Sequence, residues 1–137
     1  MSFRYPFVVS MASVDAAGVL FYPELFRHAH DAYEAMMDEV GFPLSTILAH
    51  GQWRLPIVHA EADIERPLAQ GEHLVVEIAI ASLSAHSFQV GYVFRGADSR
   101  RRARALTVHV VMDPQSGKAL PVPRGLRDAL ESLHHSD

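Results

Sequence analysis

One aspartate, Asp15, stands where a carboxylate could do chemistry. It lies in a loop of small residues, 15–18, shortly before a helix predicted to begin near Pro23. The free N–H groups and the positive dipole end of a helix N-terminus favour negative charge nearby. A carboxylate beside such donors can attack a carbonyl group or activate water while the N–H groups hold the developing oxyanion.

The alternative for the same residues is structural. Asp15 and Gly18 would then only form a turn, or Asp15 would cap a helical turn. Because loop aspartates are common, position alone favours this alternative.

The sequence contains 9 histidines, and metal binding is the first chemistry they suggest. His28 and His30 are two residues apart on the predicted helix, so they point in different directions and form a poor metal pair. The chain has no His-Glu-x-x-His motif and no cysteine, and we therefore expect no metal site. His59 and His109 stand in the middle of predicted strands, opposite the apolar side chains, where they could line a groove or a subunit interface.

One basic cluster, Arg100, Arg101, Arg102 and Arg104, stands in an otherwise acidic chain. It could guard an edge strand against aggregation, which is the favoured interpretation. It could also anchor a phosphorylated ligand such as a nucleotide, because guanidinium groups match phosphate geometry.

Composition excludes several classes of protein. The 137 residues have the length of a single domain, 1–137, and 12 Lys+Arg against 16 Asp+Glu give a net charge of -4. That balance argues against a nucleic-acid-binding surface and a polybasic membrane anchor. No apolar run approaches the roughly 20 residues that a membrane span requires, and no secretory signal is recognisable. We expect a soluble, cytoplasmic protein with neither nucleic-acid nor membrane partners.

The elements that would position these residues follow from changes in hydrophobic periodicity. Alternation from Phe3 to Val9 predicts a strand, which Pro6 places at a sheet edge or a bulge. Helical spacing after Pro23 predicts one helix of about 18 residues, and residues 44–50 could add a short helical turn. Four further strands and a closing helix are predicted by these apolar sets: Val58, Ala60, Ala62 and Ile64; Leu74, Val76, Ile78 and Ile80; Phe88, Val90, Tyr92 and Phe94; Leu106, Val108, Val110 and Met112; Leu126, Leu130 and Leu133.

This order of elements predicts an α+β fold. The short breaks between the later strands favour antiparallel neighbours, so we expect a five-stranded antiparallel sheet curled around one long helix. One helix cannot cover five strands completely, and we therefore expect the exposed edges and apolar area to be covered by oligomerisation.

Residues 15–23, Asp-Ala-Ala-Gly-Val-Leu-Phe-Tyr-Pro, resemble the loop and helix start of hotdog-fold acyl-CoA thioesterases of the 4-hydroxybenzoyl-CoA type. Residues 55–58, Leu-Pro-Ile-Val, and the pair Arg66-Pro67 resemble the second strand of that family and the turn after it. The stretch 120–123, Leu-Pro-Val-Pro, is also similar. The likeness covers nearly the whole chain, and the predicted order of elements is the hotdog order.

The resemblance implies hydrolysis of an acyl-CoA thioester to a free acid and coenzyme A, without metal or other cofactor. Asp15 would be the catalytic carboxylate, either as nucleophile or as general base for water. The backbone N–H of Tyr22 would polarise the thioester carbonyl, since Pro23 has no N–H. The site would lie between two subunits of a homodimer or of a homotetramer built from two dimers.

The acyl group implied by the resemblance is aromatic, such as 4-hydroxybenzoyl or 1,4-dihydroxy-2-naphthoyl. Its contacts would come from Gly18, His30, Tyr33, Leu55 and His59. An acidic residue often stands in the aryl-specific branch where this chain has His30, and a hydroxylated one where it has Leu55, which argues against 4-hydroxybenzoyl-CoA itself. The run 30–34, His-Asp-Ala-Tyr-Glu, is closer to the 1,4-dihydroxy-2-naphthoyl-CoA branch.

A basic pair that binds the nucleotide in that family is replaced here by residues 84–86, Ser-Ala-His, so the coenzyme A phosphates could instead meet the cluster of residues 100–104. Two alternative functions remain open at this stage. One is a non-catalytic hotdog module that binds acyl thioesters, and the other is a thioesterase for short or medium aliphatic acyl chains.

Overall fold

Five strands form one antiparallel sheet in the computed structural model, which describes residues 2–134. The strands are β1 (Phe3–Val8), β2 (Ile57–Ile64), β3 (His73–Leu83), β4 (Ser87–Arg95) and β5 (Arg101–Val110). Their order across the sheet is β1-β3-β4-β5-β2, and every neighbouring pair is antiparallel. β1 and β2 are therefore the two edges, which confirms the edge position that Pro6 predicts.

Three α-helices accompany the sheet in the described residues, and one turn of 3-10 helix, Met11–Ser13, precedes them. The long helix α1 (Tyr22–Glu39) has 18 residues, α2 (Leu44–His50) follows it, and α3 (Arg124–Glu131) lies near the C-terminus. The predicted long helix, the short helical turn and the closing helix are all confirmed. Within residues 2–134, no helix is long and apolar enough to cross a membrane.

The core lies between α1 and the face of the sheet that α1 covers. Seven side chains of α1 are buried, and the apolar sets predicted for β3 and β4 are buried opposite them. These side chains are Leu25, His28, Ala29, Ala32, Tyr33, Met36 and Met37 of α1; Leu74, Val76, Ile78 and Ile80 of β3; and Phe88, Val90, Tyr92 and Phe94 of β4. Each large apolar side chain buried in this way stabilises the fold by about 2 kcal/mol. The core therefore fixes where the start of α1 lies relative to the sheet.

The face predicted for β5 is wrong. Its buried residues are Ala103, Ala105, Thr107 and His109, whereas Leu106 and Val108 lie on the outer face. Register explains the choice, because Ala103 pairs with Phe94 and Ala105 with Tyr92, so small residues of β5 make room for large ones of β4. His109 therefore belongs to the core face, and the prediction that it stands opposite the apolar side chains is overturned.

Candidate active site

Asp15 lies in a tight turn in which, among the described residues, one of its two carboxylate oxygens accepts no hydrogen bond. Its Oδ1 accepts a hydrogen bond from the Ala17 N–H at 2.8 Å, its N–H donates to the Val19 carbonyl at 2.9 Å, and the Gly18 N–H donates to its carbonyl at 3.0 Å. Gly18 has φ +78°, which glycine adopts without strain. Asp15 is exposed, and no cation pairs with it in the described part of the chain. The structural alternative, a turn, thus describes the backbone correctly, but the turn engages only one of the two carboxylate oxygens.

The start of α1 supplies a backbone donor close to this turn in sequence. Tyr22 is the first residue of α1, so its N–H has no acceptor inside the helix, and Pro23 after it has no N–H. The Phe21 N–H donates to the Ser13 carbonyl at 2.8 Å and the Glu24 N–H to the Phe21 carbonyl at 2.8 Å. Both of these donors are therefore occupied, whereas the Tyr22 N–H has no acceptor among residues 2–134 and is available to a ligand.

A second segment, residues 68–70, holds the Asp15 turn from the other side. The Leu20 N–H donates to the Leu68 carbonyl at 2.7 Å, and the Gln70 N–H donates to the Gly18 carbonyl at 3.2 Å. Between them, Val19 and Ala69 form an isolated antiparallel bridge. The C-terminal side of the turn is thus fixed by backbone bonds to residues 68–70, as a site that positions a carboxylate requires.

A buried polar cluster beneath the turn escaped the sequence analysis. Ser13 is fully buried, and its Oγ donates to Glu24 Oε1 at 3.0 Å and lies 3.4 Å from His28 Nε2. The His28 ring stacks on Phe7, with 4.1 Å between ring centroids. Burial lowers the pKa of His28, and the hydrogen bond from Ser13 lowers the pKa of Glu24. These contacts tie the loop, the first turns of α1 and β1 together, and no short motif links their positions in the sequence.

Of the residues predicted to contact the acyl group, His30 and Tyr33 lie on α1, whereas Leu55 and His59 lie just before and on β2. His30 is exposed on α1, and its ring centroid lies 5.8 Å from that of the buried Tyr33. Leu55 is half-buried just before β2, next to Pro56, whose carbonyl accepts the Val110 N–H at 3.1 Å. His59 is exposed on β2, with Nε2 3.0 Å from Glu61 Oε1.

A row of polar side chains runs through the core near Tyr33. Tyr92 Oη lies 2.8 Å from Thr107 Oγ1, which lies 2.8 Å from His109 Nε2. The His109 ring lies 4.5 Å from the ring of Tyr33 and 5.0 Å from that of Phe88. Burial raises the pKa of Tyr33 and lowers the pKa of His109 to about 3, so His109 is neutral at pH 7. Within residues 2–134, the hydroxyl of Tyr33 and Nδ1 of His109 have no hydrogen-bond partner.

Two contacts show how α1 is placed relative to β2. At one end the Tyr22 hydroxyl donates to the Ala62 carbonyl of β2 at 2.8 Å. At the other end Tyr33 contacts His109, whose partner in the β-ladder is Ile57 at the start of β2. The 11 residues from Tyr22 to Tyr33 span about 16 Å of helix. Within one chain, Asp15 and Tyr22 thus lie at the start of α1, whereas His30 and Tyr33 lie near its middle and Leu55 lies just before β2.

One depression on the described surface has no lining residue from the Asp15 turn. It lies on the outer face of the sheet, has a volume of about 700 Å³, and is lined by small side chains such as Ala79, Ala81 and Gly91. Its lining includes the carboxylates Glu61, Asp63 and Glu77 but no residue of a helix N-terminus, whereas Asp15 lies close in sequence to the start of α1. Among residues 2–134, no three acidic or histidine side chains are arranged to hold a metal ion.

The arginines of the basic cluster lie on and before an interior strand, so the edge-guard interpretation is wrong. β5 pairs with β4 on one side and β2 on the other. Arg101 binds Glu65 through two hydrogen bonds of 2.7 and 2.8 Å. Arg102 binds Glu72 at 2.8 Å and the Pro67 carbonyl at 3.2 Å, and Arg104 binds Asp63 at 3.3 Å.

A family model for the thioesterase-like superfamily matches residues 9–130. The chain belongs to this superfamily. A 1,4-dihydroxy-2-naphthoyl-CoA hydrolase from Synechocystis sp. is 33% identical over 135 residues, which cover 98% of each chain. The crystal structure of a 1,4-dihydroxy-2-naphthoyl-CoA thioesterase from Synechocystis superposes with a TM-score of 0.91 at 32% identity, covering 97% of this chain and 98% of that one. A gentisyl-coenzyme A thioesterase superposes with a TM-score of 0.83 at 27% identity, covering 94% and 99% of the two chains.

These likenesses confirm the hotdog fold and the α+β class that the sequence predicts. The protein is therefore a hydrolase of thioesters, as the resemblance of residues 15–23 implies. The roles of its individual residues, including Asp15 and Tyr22, stay predictions.

Proposed function

We propose that the protein hydrolyses an aromatic acyl-CoA, with 1,4-dihydroxy-2-naphthoyl-CoA as the first candidate substrate. The observation that carries this proposal is Asp15, held in a fixed turn with one free carboxylate oxygen, close in sequence to the free N–H of Tyr22. The names of two similar proteins, both acting on 1,4-dihydroxy-2-naphthoyl-CoA, support the choice of acyl group.

In this proposal the Tyr22 N–H donates to the thioester carbonyl oxygen and stabilises the negative charge that develops there. The free oxygen of Asp15 either attacks the carbonyl carbon or removes a proton from an attacking water. Attack by Asp15 breaks the carbon–sulfur bond and leaves the acyl group on Asp15 as an anhydride, which water then hydrolyses to the free acid, whereas attack by water gives the free acid directly. In both routes the sulfur leaves as a thiolate, takes up a proton and is released as the thiol of coenzyme A. Both use only groups of the chain and water, so no cofactor enters the mechanism.

The acyl group is proposed to contact Gly18, His30, Tyr33, Leu55 and His59. Supporting an aromatic acyl group is the set of flat rings near the middle of α1, where Tyr33 and Phe88 lie against His109. Rings offer favourable offset or edge contacts to another aromatic ring, which a flexible aliphatic chain does not match.

We further propose that a second copy of the chain completes the site. β2 is an edge strand whose first five residues are exposed, including Ile57 at 43% and Val58 at 59%. Two such edges can pair antiparallel about a twofold axis. Such pairing would bring the start of the partner's β2 next to the end of this chain's β2, where Tyr22 contacts Ala62. The second copy would thus supply Leu55 and His59 to the Asp15 end. A tetramer of two such dimers, and a cytoplasmic location, stay predictions.

A panel of CoA thioesters tests the proposed activity. We expect 1,4-dihydroxy-2-naphthoyl-CoA and benzoyl-CoA to be hydrolysed with kcat/KM values about tenfold or more above that of hexanoyl-CoA, because ring contacts discriminate by roughly 1–3 kcal/mol. Release of free thiol provides the measurement. A preference for hexanoyl-CoA would replace the aromatic proposal with the aliphatic one. Thermal stabilisation by the thioesters without any turnover would instead identify a non-catalytic binding module.

The proposed dimer is tested by a charge placed on the β2 edge. We expect Val58→Glu to convert a dimer into a monomer in size-exclusion chromatography with light scattering, and to lower turnover, because each new carboxylate would lose water against the end of the partner's β2. Val8→Glu is the matched control, since Val8 is a 46% exposed valine at the end of the other edge strand, β1. A Val58→Glu protein that remains a dimer would contradict this interface.

A further inference from the structure

A second depression on the surface is lined almost entirely by arginine. Its lining residues are Glu65, Arg66, Arg100 and Arg101, and its volume is about 450 Å³. It lies where the end of β2 meets the start of β5. Three guanidinium groups face one carboxylate there, so the depression is locally positive in a chain whose net charge is -4. We call it the arginine pocket.

The donors of the arginine pocket are only partly used. Arg66 is exposed, and its side chain has no hydrogen bond or ion pair in the described part of the chain. Arg100 has one long contact, 3.8 Å from Nε to Asp98 Oδ2. Arg101 uses Nε and one terminal nitrogen on Glu65, which leaves its other terminal nitrogen free, and its side chain is 47% exposed. Several N–H donors can therefore accept an anion without breaking an existing contact.

The guanidinium groups of Arg102 and Arg104 are less available to an anion. Arg102 is only 17% exposed and is held by Glu72, while Arg104 pairs with Asp63 on the outer face of the sheet. The basic cluster seen in the sequence thus separates into two structural arginines and two that line the pocket. Arg66, which lies outside the run of residues 100–104, joins the latter pair only in the folded chain.

The pocket is connected to the Asp15 turn through a short stretch of backbone. Arg66 is two residues before Leu68, whose carbonyl accepts the Leu20 N–H at 2.7 Å. Two residues of extended chain span about 7 Å. The pocket and the proposed catalytic turn are therefore neighbours that do not overlap. The thioester and the phosphate groups of an acyl-CoA are likewise separated, by the pantetheine arm.

We propose that Arg66, Arg100 and Arg101 bind phosphate groups of coenzyme A, an inference that rests on the proposed acyl-CoA hydrolysis at Asp15. Guanidinium groups form two parallel hydrogen bonds to a phosphate, and neither partner loses its charge between pH 5 and 9. Residues 84–86, Ser-Ala-His, have no basic pair that could compete for this role. The site fixes the nucleotide end of the substrate while the reacting carbonyl lies at Asp15.

The test compares two thioesters of one acyl group, acyl-CoA and acyl-pantetheine, which has no phosphate. For the double variant Arg66→Ala/Arg100→Ala, we expect KM for acyl-CoA to rise about tenfold, because exposed charge contacts contribute up to roughly 1 kcal/mol each. The rise in KM should occur only with the CoA thioester. It should shrink at high salt, which screens the wild-type contacts. Arg124→Ala, an exposed arginine at the start of α3, is the matched control.

Binding of free coenzyme A gives a measurement that does not depend on turnover. We expect coenzyme A to raise the melting temperature of the wild type more than that of the double variant, and pantetheine to make no such distinction. Equal KM changes for both thioesters, or no change for either, would overturn the arginine pocket as a phosphate site. Absence of turnover of both thioesters by the wild type would instead overturn the proposed hydrolysis.

Discussion

Asp15→Asn is expected to lower kcat for the thioester by about 10³-fold or more, because an amide neither attacks a thioester nor accepts a proton from water. Asparagine keeps the side-chain oxygen that accepts the Ala17 N–H, so the turn should survive the substitution. The loss should therefore appear in kcat, with circular dichroism and melting temperature close to those of the wild type. Thiol release under saturating substrate is the measurement.

The chain offers a closely matched control for this variant. Asp113 is an aspartate in a loop whose Oδ1 accepts the N–H of the residue two positions later, Gln115, at 2.9 Å, as Asp15 does with Ala17. Asp113→Asn therefore removes the same charge from the same kind of turn, away from α1. We expect full turnover in this control. Full turnover in Asp15→Asn, or an equal loss in both variants, would remove Asp15 from the catalytic role.

Acid should destabilise the protein through His109. Burial lowers its pKa to about 3, whereas an unfolded chain has a histidine pKa near 6.5. Between these two values the unfolded state binds a proton that the folded state does not bind, so the contribution is complete above pH 6.5 and is lost as the pH falls toward 3. At pH 5 the folded protein should have lost about 2 kcal/mol relative to pH 7.5 from this residue.

Urea denaturation of the wild type and of His109→Phe, at pH 7.5 and at pH 5, measures this effect. Phenylalanine keeps a ring against Phe88 and Tyr33, and Thr107 keeps its contact with Tyr92, but the buried titrating group is gone. The difference in unfolding free energy between the two pH values should be about 2 kcal/mol smaller in the variant. His73→Phe, at an exposed position, should retain the wild-type difference. An unchanged pH dependence in His109→Phe would refute this explanation.

The parts of the fold that could be predicted are those where the apolar pattern allows only one choice of face. β3 and β4 alternate between large apolar residues and smaller or polar ones, so the buried face follows from the sequence. β5 carries apolar residues on both faces, and only its pairing with Phe94 and Tyr92 selects the alanine side. Strand order likewise depends on pairing, so the sequence pattern alone does not show that the basic residues of β5 lie on an interior strand.

The candidate site likewise has parts that the sequence predicts and parts that it does not predict. Asp15 and the start of α1 are neighbours in the chain, so their relation could be predicted from spacing alone. Ser13 and Glu24 are 11 positions apart, and His28 stacks on Phe7 across an even longer stretch of sequence. Arg66 joins Arg100 only because β2 and β5 are paired. Contacts of this kind depend on tertiary structure, and a single sequence carries no local signal for them.

The contact that Tyr22 makes in the fold and the catalytic contact proposed for it use two separate groups of atoms. Its side-chain hydroxyl fastens the first turn of α1 to the Ala62 carbonyl, while its proposed contact with the thioester uses only the backbone N–H. Every residue except proline has that N–H, so alanine scanning cannot remove the proposed oxyanion donor. A Tyr22→Phe or Tyr22→Ala protein would show how much the contact between the Tyr22 hydroxyl and the Ala62 carbonyl contributes to stability. The donor itself would become visible only by replacing the amide with an ester during chemical synthesis of the chain.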